Sequence, residues 1–247
     1  MKNNNPKGIL LILIGMFIVS FQDATFKYIY SSVSLYEIYF VRTLISFVVI
    51  ASYLKITNKP VIFSTHYPLL TAIRVILFFF GFSSFYVSLT IMPLATATAL
   101  FFASPFLITI FAIFFLKEKV GIRRWLAVIV GFIGVYIILN PDFSNFDYLS
   151  LTPVLCAVCY ALSMIIIKKT SDKDDVYSQM FHFYIFAIAI SLIFYFYMGD
   201  GQYNNSNHPA SQFIFRKWFD NLEFSLPYMI FVGVIGASGF LCFFTAY

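Results

Sequence analysis

Apolar residues run along this chain in blocks of about twenty, and the polar residues collect in the short stretches between them. Eight blocks can be marked: Ile9 to Tyr30, Ser34 to Leu54, Tyr67 to Thr90, Pro93 to Leu116, Ile122 to Leu139, Leu149 to Ile167, Val176 to Met198, and Ser225 to Tyr247. At about 1.5 Å of rise per residue, some 20 apolar residues of helix cross the roughly 30 Å hydrocarbon core of a bilayer. The pattern predicts an all-α polytopic membrane protein whose main solvent is lipid. Lys2 and Lys7 precede the first block as they would a signal peptide. Its apolar run is too long, however, no small-residue cleavage site follows, and seven more blocks come after it, so it is expected to stay in the protein.

Composition agrees. Of the 247 residues, 61% are hydrophobic and only 11% are charged, against about 25% charged in an average soluble domain. The net charge of +5 does not point to nucleic acid, because the basic residues are scattered between the blocks and form no groove. With the N-terminus placed in the cytoplasm, the inner segments hold Lys2, Lys7, Lys55, Lys59, Lys117, Lys119, Arg123, Arg124, Lys168, Lys169 and Lys173, eleven bases, while the outer side holds Lys27, Arg216 and Lys217. Cytoplasmic loops carry the excess of Lys and Arg, so this orientation in a bacterial inner membrane is the expected one. The outward loop "NPDFSNFDYLS" carries Asp142 and Asp147 and no base.

The stretch "MPLATATALFFASPFLITIFAIFFLKEKVGIRRW" shows how one block is built. It opens at a proline turn and ends in a cluster of charges that fixes its end in the cytoplasm. Ala95, Ala99 and Ala103 recur every four residues as a small-residue face on which a second helix can approach closely, and Gly131 and Gly134 are expected to do the same in the next block. Pro105 has no N–H for the Phe101 carbonyl, so the helix should kink there. The kink makes Pro105 a hinge candidate, with a static bend as the equal alternative. Gly81, Ser84 and Ser88 of the third block, and Gly233, Gly236 and Gly239 of the eighth, are explained by packing, with a place at the border of a cavity for some of them as the lesser alternative.

The order of blocks repeats. A shift of 141 residues pairs Tyr36 with Tyr177, Phe40 with Phe181 and Lys27 with Lys168; a shift of 159 pairs Pro68 with Pro227. Blocks one to five (residues 1–141) then form one unit, and a second (142–247) starts at block six from the opposite side of the membrane. Inverted repeats of this kind are a mark of secondary transporters. On this alignment Tyr247 matches Ser88, so the chain is expected to stop three helices into a five-helix repeat.

"ALFFASPFLITIFAIFFLKEKVGIRRWLAVIVGFIGVYIILNP" resembles the end of an EamA-type repeat of the drug/metabolite transporter superfamily. The likeness lies in Pro105 after Ser104, Glu118 of the "LKEK" turn, Trp125 opening block five, and Gly131 and Gly134 before "NP". "YFVRTLISF" is similar to the family's Phe-x-Arg segment, and "GASGFLCFFTAY" to the group that contains riboflavin and S-adenosylmethionine uptake carriers. The resemblance implies a ten-helix inverted-repeat transporter fold, of which about eight helices are present here, and a substrate cavity.

Asp23, Arg42 and Arg74 are charges set deep within blocks, away from their ends. Asp23 is roughly 10 Å below the outer end of the first and Arg42 roughly 12 Å below the outer end of the second, so they share a depth. Arg74 lies roughly 10 Å above the inner end of the third, in a separate layer. A charge at the centre of a membrane helix costs about 2.5–3.5 kcal/mol and pairs or lines a wet cavity. Asp23, Arg42 and Arg74 are therefore substrate-cavity candidates, with a purely structural pairing as the competing reading. Tyr86 and Phe102, at comparable depth, are the two aromatic candidates. The general abundance of Phe and Tyr is compositional bias and interfacial belt.

Cys156 and Cys159 form a CxxC inside an apolar block with no second pair, which reads as packing, as does Cys242. His66, His182 and His208 have no acidic or nucleophilic partner at a defensible spacing. Catalytic residues, cofactors and metal ligands are not expected. The sequence predicts a secondary transporter moving a small organic metabolite by alternating access, with a non-transporting membrane scaffold, or an integral membrane enzyme, as the alternatives.

Overall fold

A computed structural model describes residues 5–59, 63–139 and 148–246 of the chain. Lys2, Tyr247 and the outward loop from Asn140 to Asp147 lie outside the described residues. The described residues form helices joined by turns, with no strand among them. In chain order these are α1 (Asn5–Ile29), α2 (Leu35–Ile56), α3 (Pro68–Ser88), α4 (Leu94–Phe101), α5 (Ser104–Leu116), α6 (Ile122–Leu139), α7 (Thr152–Thr170, after a 3-10 turn at Tyr148–Leu151), α8 (Val176–Met198), α9 (Pro209–Phe215) and α10 (Leu222–Ala246). Seven spans are long and apolar enough to cross a membrane, the α4–α5 pair counting as one. The protein is an all-α polytopic membrane protein.

Two differences from the sequence reading have physical causes. The fourth block is two helices, because Pro105 sits in the first turn of α5 and cannot continue the hydrogen-bond ladder from Phe101. The amides of Phe102 and Ala103 close the end of α4 with tighter bonds, to the Ala99 and Leu100 carbonyls at 3.1 Å each. The polar stretch after α8 holds the short helix α9, capped by His208, whose Nδ1 accepts from the Ala210 amide at 3.2 Å, with Pro209 in the first turn.

The chain forms two compact units, residues 1–63 with 176–247, and residues 64–175. In the first, α1 packs on α10, α10 on α2, and α2 on α8. Small residues permit the close approaches. A Cβ added at Gly15 would lie 2.7 Å from the Phe243 ring, and one at Gly233 would lie 2.8 Å from Cβ of Ile45. The connection from α8 to α10 is tied down over the start of α2. The Ser34 hydroxyl donates to the Ile214 carbonyl (3.1 Å), Asn221 donates to the Ser32 carbonyl (3.3 Å), and the buried Glu37 accepts from the Ser34 amide (3.2 Å).

In the second unit α3, α4 and α5 all pack on α7, and α6 leans on α4 and α5. Gly81 sets the α3–α7 spacing, since a Cβ there would lie 2.7 Å from Cβ of Cys159. Cys156 is buried at the same crossing, so both cysteines are packing residues, as expected. At Gly131 and Gly134 the expected close approach is not found. A Cβ at either would meet nothing within 4 Å among the described residues, because α6 is exposed along most of its length. Trp125 instead holds α6 to α5 through an edge-on contact with Phe106, ring centroids 5.8 Å apart. The "LKEK" turn ends α5 with Lys117 in the left-handed region (φ 54°), and its Glu118 accepts a charge-assisted hydrogen bond from Lys168 at the end of α7.

Candidate functional site

In a helix surrounded by hydrocarbon, serine and threonine hydroxyls find their own backbone. Thr43 donates to the Tyr39 carbonyl, Ser83 to that of Phe79, and Thr109 to that of Pro105. Charged side chains cannot be served in this way, and they mark where each unit departs from simple packing.

In the first unit that place is Arg42. Only 6% exposed, it projects from α2 with its guanidinium 5.4 Å from the Phe26 ring centre on α1 and 5.2 Å from that of Tyr39. Both distances suit a cation held against aromatic faces, which replaces part of its lost hydration. Ser46, one turn further along α2, donates to the Gly233 carbonyl of α10 at 2.8 Å. Tyr184 of α8 is buried beside Ser46 and within the field of Arg42. Gln22 of α1 is buried against α10, where a Cβ at Gly236 would run into its side-chain oxygen. Asp23 is half-buried on α1, three residues before Phe26. Asp23 and Arg42 therefore belong to one unit, on helices that the Phe26–Arg42 contact brings together. Gln22, Ser46 and Tyr184 complete the cluster and were not predicted from the sequence.

Arg74 lies in the second unit, 4% exposed, and its own carbonyl accepts from the Ser163 hydroxyl of α7 at 3.4 Å. The acid acting on it is Asp174, a residue the sequence reading passed over. Asp174 is buried in the turn after α7 and ties the two ends of this unit together. It accepts from the Thr65 hydroxyl, from the His66 amide (2.8 Å) and beside His66 Nδ1 (3.2 Å). Thr65 has a single O–H, and it donates to the Asp174 carboxylate. The Thr71 hydroxyl (3.0 Å) and the Tyr67 amide (3.1 Å) therefore donate to the Thr65 oxygen. Burial by itself raises the Asp174 pKa, but the hydrogen bonds from Thr65 and His66 and the nearby imidazole outweigh it and hold the carboxyl below its ordinary value.

The two aromatic candidates part company. Tyr86 is buried on α3, in contact with Phe82 and Phe85, whereas Phe102 caps α4 and is 56% exposed. The rings that gather in this unit are Phe78 and Phe82 of α3, Phe101 of α4 and Tyr160 of α7, each half-buried. Pro105 stands at the break between α4 and α5, beside Phe101. Among the described residues no three His, Cys, Asp or Glu side chains come together as metal ligands.

Buried charges held by aromatic rings and hydroxyls, inside helices that otherwise face lipid, define a multi-pass membrane protein with polar positions kept within its spans. Residues 6–140 match the EamA-like transporter family, and the chain belongs to that family. The S-adenosylmethionine uptake transporter of Rickettsia prowazekii (strain Madrid E) is 32% identical over 185 residues, covering 75% of this chain and 63% of the relative. A riboflavin transporter of Rhizobium johnstonii is 39% identical over 110 residues, 44% of this chain and 36% of the relative. The pseudopaline exporter of Pseudomonas aeruginosa (strain UCBPP-PA14) is 24% identical over 186 residues, 75% of this chain and 65% of the relative. The chain thus matches less than two thirds of the length of these relatives. No solved structure matches it. The protein is a multi-pass bacterial membrane protein, and its relatives are named as transporters.

Proposed function

We propose that the protein is a secondary carrier that takes up a small organic metabolite of the S-adenosylmethionine type across the bacterial inner membrane by alternating access, with its N-terminus in the cytoplasm. The observation that carries this reading is Arg42, a buried cation within an apolar span, surrounded by Phe26, Tyr39, Ser46 and Tyr184. No stability argument calls for a charge there, because an apolar side chain of similar size would avoid its desolvation cost. Family membership and the names of the relatives support the same conclusion.

Two inverted repeats, residues 1–141 and 142–247, are supported by the packing inside the units. If α1 corresponds to α7 and α3 to α10, the α1–α10 contact in one unit and the α3–α7 contact in the other are the same contact, first helix of one repeat on third helix of the other, made twice between the repeats. Each compact unit would then contain helices of both repeats. Asp23 and Arg42 act together in this scheme, as an outward-side pair that substrate or a proton opens during the cycle, and Pro105 serves as a hinge.

Uptake of tritiated S-adenosylmethionine by bacterial cells that otherwise exclude it tests the proposal. Accumulation of unchanged label is expected. Label converted to another compound would indicate an enzyme, and no accumulation a scaffold, and either would refute the carrier.

A further inference from the structure

Gly81 has a consequence beyond helix spacing. Phe78 stands three residues before it and Phe82 one after it on α3, while Tyr160 follows Cys159 on α7. Because Cys159 closes on Gly81, Tyr160 comes within 6.0 Å of the Phe82 ring and 6.2 Å of Phe78, centre to centre. Phe101, the last residue of α4, completes the group at 5.3 Å from Tyr160 and 6.0 Å from Phe82. Behind these rings Phe85 and Tyr86 are buried, but the four themselves are only half-covered. This side of α3 is not its lipid stripe. Leu69, Ile73, Ile76 and Phe80 are the exposed large apolar residues of that helix, and they run along the opposite side. A polar group lies at the same spot, since Pro105 has no N–H to give the Phe101 carbonyl.

We infer that Phe78, Phe82, Phe101 and Tyr160 form a binding wall for the planar heteroaromatic ring of the transported metabolite, with the Phe101 carbonyl accepting from an N–H on that ring. The inference rests on the carrier reading above and gives it a recognition element. Half-buried rings gathered from three helices, on the side away from the lipid stripe of α3, take a flat π-system by stacking, which tolerates different rings, and a carbonyl that lacks its helix N–H selects rings that carry an amino or imino hydrogen. S-adenosylmethionine and riboflavin both carry such rings. An aliphatic substrate would gain nothing from this arrangement over leucines.

The test measures binding of tritiated S-adenosylmethionine to the full-length protein in lipid nanodiscs, with adenosine and methionine as separate competitors. Adenosine should compete through its ring. Phe82→Leu and Tyr160→Leu should each weaken adenosine competition roughly 5- to 150-fold, the usual cost of removing a stacking ring, while Tyr160→Phe keeps it and methionine competition does not change. Photolabelling of the unaltered protein with 8-azidoadenosine, which needs no variant to fold, should mark peptides containing residues 78–82, 101 or 160. Binding that responds to methionine and not to adenosine, or photolabel confined to other helices, overturns the wall and leaves the carrier standing. Absence of binding by S-adenosylmethionine, adenosine and riboflavin alike overturns both.

Discussion

Replacing Gly81 by alanine puts a number on the α3–α7 contact. The added Cβ would lie 2.7 Å from Cβ of Cys159, while its distances to the Cys156 carbonyl oxygen (3.6 Å) and Cα (3.8 Å) are ordinary. Carbon atoms pack best at about 3.5–4.0 Å, so one contact alone is about 1 Å too short. The colliding atom is bonded directly to the backbone and cannot rotate away, so the helices must part. Overpacking of this kind costs about 1–3 kcal/mol, and alanine recovers about 0.5–1 kcal/mol of helix propensity over glycine. Gly81→Ala should therefore destabilise the protein by about 1–2 kcal/mol. Cys159→Gly removes the opposing Cβ, and the Gly81→Ala/Cys159→Gly double variant moves the single Cβ at this contact from α7 to α3. Its stability should return to within about 0.5 kcal/mol of the parent, with a coupling of about 1–3 kcal/mol in the double-mutant cycle. Reversible unfolding in mixed detergent micelles, followed by circular dichroism, measures all four proteins. If Gly81→Ala is as stable as the parent, or if Cys159→Gly gives no rescue, the helices are not held at this distance by this pair.

Asp23→Asn and Arg42→Gln should each abolish uptake in the full-length protein, and exchanging the two charges should restore folding without turnover; full turnover in the exchanged protein would make the pair structural only. Asp174 has its carboxyl held below the ordinary value of 3.8, so it stabilises the second unit at pH above that value, and this contribution is lost as pH falls through the lower folded pKa. Asp174→Asn should flatten the dependence of unfolding on pH in this acid range, and an unchanged profile would remove Asp174 from the account. Single cysteines placed at Lys119 and Lys173 should react only with reagent on the cytoplasmic side and one at Asn205 only from outside, whereas labelling of position 173 from outside would break the inverted-repeat scheme. Pro105→Ala restores an N–H for the Phe101 carbonyl and should raise thermal stability while lowering uptake; unchanged uptake would mean that the break is a static bend.

The spans were legible because hydrocarbon demands continuous apolar helix, a signal that needs no partner. The bounds of α6 and α8 coincide with the sequence reading for this reason. Arg42 and Arg74 were visible for the complementary reason, as charges inside apolar runs. Their surroundings were not. Helices apolar on every side carry no periodic stripe to say which face turns inward, so nothing in "SQMFHFYIF" sets Tyr184 apart from the tyrosines around it. Gln22 and Ser46 are ordinary polar residues until α10 is seen against them. Asp174 was hidden in the run "SDKDD", where four of five residues are charged and only the fold shows which is buried. The helix α9 had a signal, His208 before Pro209, but seven residues are too few to stand out from a polar loop. Phe78, Phe82, Phe101 and Tyr160 were lost among 33 Phe and 17 Tyr, and only the approach of α7 at Gly81 gathers them.

The central claim is that the protein moves an intact small metabolite through the membrane. Counterflow tests it most directly. The full-length protein is reconstituted into liposomes loaded with unlabelled S-adenosylmethionine and diluted into a trace of the tritiated compound. The account predicts transient accumulation of unchanged label above the outside concentration, absent from vesicles without the internal load and from those carrying Arg42→Gln. Label that never exceeds equilibrium in loaded vesicles, across S-adenosylmethionine, riboflavin and their ring-bearing relatives, would contradict it.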